Sequence, residues 1–392
     1  MKVAVIGAGP AGMMAAYRAS LRGLDVTVYD PNEKVGRKLR ITGKGRCNVC
    51  NSCDVKTVLS NVTGDGRFLY SALNRFGPDD VISFFNSNGV KLKVERGNRV
   101  FPESDNANDI AELMYRLCLS SGVRFVRRKV TSLDNVDADA FIIATGGKSY
   151  PLTGSTGDGY RFAKEIGHTV NSIRPSLVPL ESNDDYCASL QGFSLKNVVL
   201  RAFENDKLIF HEQGEMLFTH FGISGPLVLS ASAHFKDFQN SRVEIDLKPA
   251  LDDNKLDLRL LRDFSEFSNK DFINYLPKLV GKSMADVICK LSDIAPNIKL
   301  NEITHEQRTR LRLLLKAFPV SVIGTRPIDE AIVTKGGINL KEINPRTMQS
   351  KLNPKYYFAG EVLDLDAYTG GFNLQIAWST GYVAGEEVLV NE

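Results

Sequence analysis

The residues best placed to do chemistry lie in the first fifty positions. Gly7-Ala8-Gly9-Pro10-Ala11-Gly12 has the spacing of a turn that cradles a diphosphate. In such a turn Gly7 bends the chain sharply, Gly9 lets backbone meet a phosphate, and Gly12 lets a helix lie against the preceding strand. The helix N-terminus adds unpaired N–H groups and a partial positive charge. Asp30, 18 residues beyond Gly12, is placed to accept from ribose hydroxyls. An acid there favours a free 2′-hydroxyl, as in NAD or FAD, over the phosphate of NADP. The motif alone does not separate NAD from FAD. Between Pro31 and Asn51, Lys34, Arg37, Lys38, Arg40, Lys44 and Arg46 stand against the single acid Glu33. A loop of cations and glycines here suits a phosphate-bearing ligand already held by the first turn. Gly43-Lys44 is no P-loop, because Gly45 follows in place of Ser or Thr and no glycine lies five residues before Gly43.

These groups need a scaffold, and the flanking patterns supply one. Lys2–Ile6 reads as a short strand, the run to about Gly23 as a helix, and Asp25–Asp30 as a second strand, which together make a βαβ unit. Residues 66–88 carry helical spacing, 91–94 and 99–101 look like strands, and 110–121 is an amphipathic helix. Residues 123–126 and 129–133 are strand-like, and the all-apolar run 140–144 fits a strand covered on both faces. It ends in Thr145-Gly146-Gly147, small residues at a strand's carboxyl end, where open α/β sheets bind ligands. Thr153-Gly154-Ser155-Thr156-Gly157-Asp158-Gly159 then opens a helix to Ile166, with Thr156 or Asp158 as its cap. From 175 to about 249 short strands recur, a pattern of antiparallel pairing, and Gly222-Ile223-Ser224-Gly225-Pro226 interrupts them to start a helix. Residues 251–317 read as amphipathic helices. Strand-like runs return at 319–323, 331–333 and 356–359, and the loop Ala367–Asn373 leads into a last helix, 374–388, of small and apolar residues.

Length and composition bound the reading. A chain of 392 residues is expected to form two or three units, and a net charge of +3 argues by itself for neither nucleic acid nor an anionic membrane. Six scattered cysteines are too few for a disulfide scaffold at this size. The opening apolar run is only of strand length, so neither a signal peptide nor a membrane span is expected, and a cytoplasmic location fits.

In combination these motifs, with Gly36-Arg37-Lys38, Gly45-Arg46-Cys47-Asn48, Thr219–Pro226, Gly360-Glu361-Val362-Leu363-Asp364 and Gly370-Gly371-Phe372-Asn373, resemble a family of bacterial FAD-binding oxidoreductases that includes aminoacetone oxidase and a bile-acid (3-oxo-4,6-diene) reductase. The match runs almost end to end. The Thr-Gly-Gly and Thr-Gly-Asp-Gly elements also resemble those of fumarate reductase flavoproteins. The resemblance implies a Rossmann-like, glutathione-reductase-like α/β domain binding FAD, formed by residues 1–175 and 320–392. A β-rich insert, 176–250, and a helical insert, 251–319, interrupt it. It places the adenosine and diphosphate at Gly7–Gly12 and Asp30, Arg37 and Lys38 near the diphosphate, and Arg46, Cys47 and Asn48 near the flavin half. Gly360 and Glu361 would meet the ribityl–phosphate part. Gly371, Phe372, Asn373, Leu374 and Gln375 would offer N–H groups to the flavin pyrimidine, where negative charge grows on reduction. Val130, Thr145, Gly146, Gly147 and Asp158 complete the expected cofactor set. Lys44, Cys50 and Ala367 depart from residues common in the family.

Cys47-x-x-Cys50-x-x-Cys53 has redox or metal-ligand spacing, but a structural zinc site needs a fourth ligand and the next cysteine, Cys118, is far along the chain. No metal site is expected, and a Cys47–Cys50 redox pair is the lesser reading. Among five histidines His220 is the one to test as a proton donor, with Tyr368 comparable, and no catalytic residue is assigned. A second glycine motif for nicotinamide is absent. Either NAD(P)H visits as a transient reductant without its own Rossmann unit, or the substrate reduces the flavin and oxygen reoxidises it. The expected activity is flavin reduction by NAD(P)H and hydride transfer to a small or steroid-like organic substrate with an activated double bond, without nucleic-acid or membrane partners. The alternatives are an amine oxidase producing hydrogen peroxide and an RNA-modifying flavoprotein. The oligomeric state stays open.

Overall fold

The computed structural model describes residues 1–389. The chain divides into two compact units. The first joins Met1–Ser176 to the segment from Pro327 onward, and the second is Leu177–Arg326.

The first unit is built on a five-stranded parallel sheet. Its spatial order is Tyr356–Phe358, Ala140–Ile143, Lys2–Ile6, Asp25–Asp30, Arg124–Arg127. The chain starts in the middle of the sheet, moves out to one side through Asp25–Asp30 and later returns on the other side through Ala140–Ile143. The gap beyond the carboxyl ends of Lys2–Ile6 and Ala140–Ile143 is therefore a topological switch point, the usual seat of a ligand in an open α/β sheet. Val3, Val5, Val26, Val28, Ile142 and Ile143 are all buried, as a sheet covered on both faces requires.

Two helices cover the sheet next to that gap. Pro10–Leu21 packs on the last helix, Phe372–Glu387, through small residues. A Cβ on Gly381 would lie 2.4 Å from the Ala11 carbonyl oxygen, and one on Gly385 the same distance from that of Ala15. Glycine at both positions lets the two backbones touch, which explains why the last helix is small-residue-rich without a strong amphipathic stripe. Trp378, fully buried, anchors it by donating to the Val49 carbonyl at 3.1 Å.

Most expected elements of this unit are present within two or three residues, including Leu92–Glu95, Arg99–Pro102 and the helix Ala107–Ser120, which starts three residues early. The stretch 129–133 is not a strand. The sheet ends at Arg127, and the chain beyond it turns toward the ligand gap.

The second unit holds a seven-stranded antiparallel sheet in the order Phe318–Val322, Ser241–Asp246, Ser194–Glu204, Lys207–Thr219, Gly222–Ser224, Leu180–Glu181, Gly324–Thr325. Helices Asp253–Glu266, Phe272–Val280, Ala285–Ser292 and His305–Lys316 share one core with it, through residues such as Leu200, Phe218, Ile245, Leu256, Leu276, Leu311 and Phe318. The β-rich and helical stretches are thus one unit. The strand expected at 319–323 belongs here and not to the first unit, because it pairs with Ser241–Asp246. Gly225 and Pro226 do start a helix, Pro226–Ser232. Among the described residues no helix is long and apolar enough to cross a membrane.

Candidate functional site

A cavity of about 1350 Å³, counted with its open mouth, lies in the first unit at the switch point. Its floor is the turn between Ile6 and Pro10. Gly7 (φ 104°) sits where a Cβ would be 2.5 Å from the Ala144 carbonyl oxygen, and a Cβ on Gly12 would be 1.9 Å from that of Gly7. Both glycines are therefore demanded by the chain's own packing. Gly9 is different. Its backbone (φ −81°, ψ −177°) suits any residue, and a Cβ there would meet nothing within 4 Å. The space over Gly9 adjoins the N-terminus of the Pro10–Leu21 helix, which has no side-chain cap. Free N–H groups and a dipole face a void that the protein leaves unfilled.

Asp30 ends its strand at the cavity wall. One carboxylate oxygen accepts from Ala8 N and the other from Asn32 N, both at 2.8 Å. These bonds fix the carboxylate against the glycine turn and leave lone pairs for a ligand's hydroxyls. Of the other expected residues, Pro10, Ala11, Arg37, Lys38, Val130, Thr145, Gly146, Asp158, Gly360, Glu361, Asn373 and Leu374 line the same cavity. Lys38 is not a free cation. Its Nζ donates to Glu361 at 2.7 Å and to Ser149 Oγ at 2.7 Å, and Glu361 also accepts from Thr334 N at 2.9 Å. Asp158 faces Lys129 at 3.1 Å. Burial pushes its carboxyl up, but the Thr156 hydroxyl and Lys129 outweigh this and hold it below the usual carboxylate range. The cap of its helix is Gly157 (φ 83°), not Thr156 or Asp158, because the chain needs a left-handed residue there. Thr145 Oγ1 is buried and has no hydrogen-bond partner among the described residues. The uncapped N–H groups, the vacant space over Gly9 and the fixed acid at Asp30 fit a dinucleotide.

Eight expected residues do not line this cavity, and each has a local reason; for Gly12 it is the close contact with Gly7 already described. Arg46 is taken by Glu95 and by Asp105 (2.6 Å), and lies over the Phe101 ring at 4.2 Å. Cys47 is buried at φ 61°, and burial pushes its thiol up to about 12. Asn48, in the amide orientation its neighbours satisfy, accepts from Gly371 N at 3.0 Å and donates to Cys50 and Val100 carbonyls. It ties the basic loop to the start of the last helix. Gly371 lies against the Cys50 backbone, where a Cβ would be 2.3 Å from the Cys50 carbonyl carbon. Phe372 is buried beside it. Gly147 packs where a Cβ would be 2.3 Å from Thr334 Oγ1. Gln375 turns into the core, donating to the Phe76 carbonyl and Ser379 Oγ.

The cysteine motif makes no reactive centre. Cys50 is buried like Cys47, and burial raises the thiols of Cys50 and Cys53 as well, Cys53 to about 11. Among the described residues no cluster could hold a metal. Tyr368 does not line the cavity, and His220 lies in the second unit. Sequence reasoning missed Asn32, Arg128, Lys129, Ile332 and Val333, all of which do. Asn32, Arg128 and Lys129 share one local signal, position just past a strand, while Ile332 and Val333 lie at the start of the strand Val333–Lys335.

Against known proteins, the family model described as HI0933-like protein Rossmann domain matches residues 1–387. The 3-dehydro-bile acid delta(4,6)-reductase of Clostridium scindens is 29% identical over 98% of this chain and 98% of its own length. Ribosomal RNA dihydrouridine synthases are similar to the same degree. That of Escherichia coli is 30% identical over 98% of this chain and 97% of its own, and that of Haemophilus influenzae 31% over 96% of each.

Proposed function

The chain belongs to the HI0933-like Rossmann family and is an oxidoreductase, and we propose that it holds FAD in the cavity of its first unit and reduces a carbon–carbon double bond conjugated to a carbonyl. The observation that carries the cofactor reading is the vacant space over Gly9 at an uncapped helix N-terminus, with Asp30 fixed beside it. The helix N–H groups would hold the diphosphate, and Asp30 the ribose hydroxyls. Lys38 and Glu361, joined in a neutral pair, would present polar atoms without adding net charge to the cavity wall. When bound, FAD supplies hydride transfer. The protein's part is to hold and orient it and to keep water from the covered face.

The relatives support the substrate class. One is named for reducing a delta(4,6) 3-dehydro bile acid and two for forming dihydrouridine. A dienone and a uracil ring share one feature, an alkene polarised by a carbonyl, whose β-carbon accepts hydride. The leading reading is a small-molecule enone of steroid-like size, with NAD(P)H as transient reductant. A second reading, a uracil ring in ribosomal RNA, is favoured by the two dihydrouridine synthases at 30% and 31% identity.

The test is to record the visible spectrum of the purified chain and mix it anaerobically with NADH, NADPH and a small amine in turn. Bleaching by a nicotinamide, followed by recovery of the yellow colour on adding a steroid dienone, is the expected result. Recovery with an unmodified ribosomal RNA transcript instead would select the second reading. Bleaching by the amine alone would mark an oxidase and overturn both. Colourless protein that takes up no FAD would overturn the cofactor reading.

A further inference from the structure

One cavity residue has chemistry that the glycine turn and Asp30 do not account for. Arg128 follows the edge strand Arg124–Arg127, and its N–H donates to the Asp30 carbonyl at 3.1 Å, which fixes it next to the acid at the cavity wall. Its guanidinium lies over the ring of Tyr29, 5.0 Å from the centroid, and both residues line the cavity. Two nearby cations have carboxylate partners: Arg124 pairs with Asp25 at 2.7 Å and Lys129 with Asp158 at 3.1 Å. Among the described residues Arg128 has none, and its side chain's one polar contact is a long 3.5 Å bond to the Asn135 carbonyl. A guanidinium is planar and weakly hydrated, so one stacked on an aromatic ring forms a flat cationic platform.

We propose that Arg128 is a ligand-binding residue, a platform on which the purine ring of the bound nucleotide stacks beside the ribose held by Asp30. This rests on the nucleotide reading of the cavity. It assigns recognition of the adenosine half to a side chain from the edge of the sheet, outside the glycine motif. A purine on a guanidinium gains stacking and cation–π attraction, and because the contact is with a π face it does not depend on the phosphates.

The experiment compares flavin-stripped wild type with Arg128→Ala and Arg128→Lys, using FAD, ADP and FMN as probes and the melting temperature as a control for folding. Arg128→Ala is expected to weaken FAD and ADP binding by roughly ten-fold and to leave FMN binding and the melting temperature unchanged. Arg128→Lys, which keeps the charge but not the plane, is expected to recover little of the loss. Full recovery by lysine, with a steeper salt dependence, would make Arg128 a phosphate contact and overturn the stacking assignment. An equal loss of FMN binding or a lowered melting temperature would make it structural, and unchanged FAD and ADP binding would also overturn it. Wild type that binds ADP but no flavin would sink the FAD reading while the ADP comparison still judged Arg128. Wild type that binds neither would overturn both.

Discussion

Gly9→Ala separates what the fold needs from what the ligand needs. At Gly9 the backbone already occupies an ordinary extended conformation, and the added methyl would meet no protein atom within 4 Å. Alanine is a poorer helix cap than glycine by a few tenths to about 1 kcal/mol. It also restricts the unfolded chain, which returns about 0.4–1 kcal/mol. The two nearly cancel, so the flavin-stripped variant should melt within about 3 °C of wild type. Binding should respond very differently, because the methyl fills the space a diphosphate oxygen must enter to reach the helix N–H groups. Losing one charge-assisted hydrogen bond costs about 1.5–3 kcal/mol, so FAD affinity should fall by roughly ten- to hundred-fold. Gly12→Ala is the control. Its methyl would lie 1.9 Å from the Gly7 carbonyl oxygen, so backbone must move and stability must fall whether or not FAD is present. Thermal melts of the stripped protein and FAD titrations followed by flavin fluorescence read both quantities. A Gly9→Ala protein that binds FAD as wild type does would refute the reasoning, and so would one destabilised as much as Gly12→Ala.

Further expectations follow from the same geometry. Glu342 accepts from His168 Nδ1 and Thr169 N, each at 2.9 Å. Burial pushes its carboxyl up, yet the Thr169 and His168 contacts outweigh this and hold it below its ordinary value. Its contribution to stability is therefore present above about pH 4.3 and lost as the pH falls through the lower folded value. Urea midpoints should show Glu342→Gln less stable than wild type at pH 7 and the gap shrinking by pH 3.5; a gap that does not change with pH would contradict this. Lys38 and Glu361 are each one-fifth exposed, so Lys38→Met should cost about 1–3 kcal/mol, between the surface and buried limits, and adding Glu361→Gln should restore part of it. A double-mutant cycle with no coupling would show the pair to be idle. At pH 8 iodoacetamide should modify half-buried Cys53 well before Cys47, as read by mass spectrometry of native protein. Rapid Cys47 labelling would mean its burial is wrongly assigned.

The sequence by itself determined what depends on near neighbours. The glycine turn, the helix it opens and Asp30 lie within thirty residues, so their spacing alone specifies a βαβ unit with a phosphate-sized gap. The apolar run 140–144 and the small-residue terminal helix were likewise legible, since burial on both faces and close helix contact each impose a composition. What the tertiary structure decided were competitions between distant partners. Arg46 reads locally as a ligand cation, yet Glu95 and Asp105 claim it. The side chain of Gln375, near the end of the terminal glycine loop, is drawn into the core by the carbonyl of Phe76. Residues 319–323 read as a strand, but nothing local says which sheet, and pairing with Ser241–Asp246 places them in the second unit. Arg128 joins the cavity only because its strand adds to the edge beside Asp30. Local spacing fixes backbone conformation, whereas a side chain's role is set by whichever partner the fold brings within reach first.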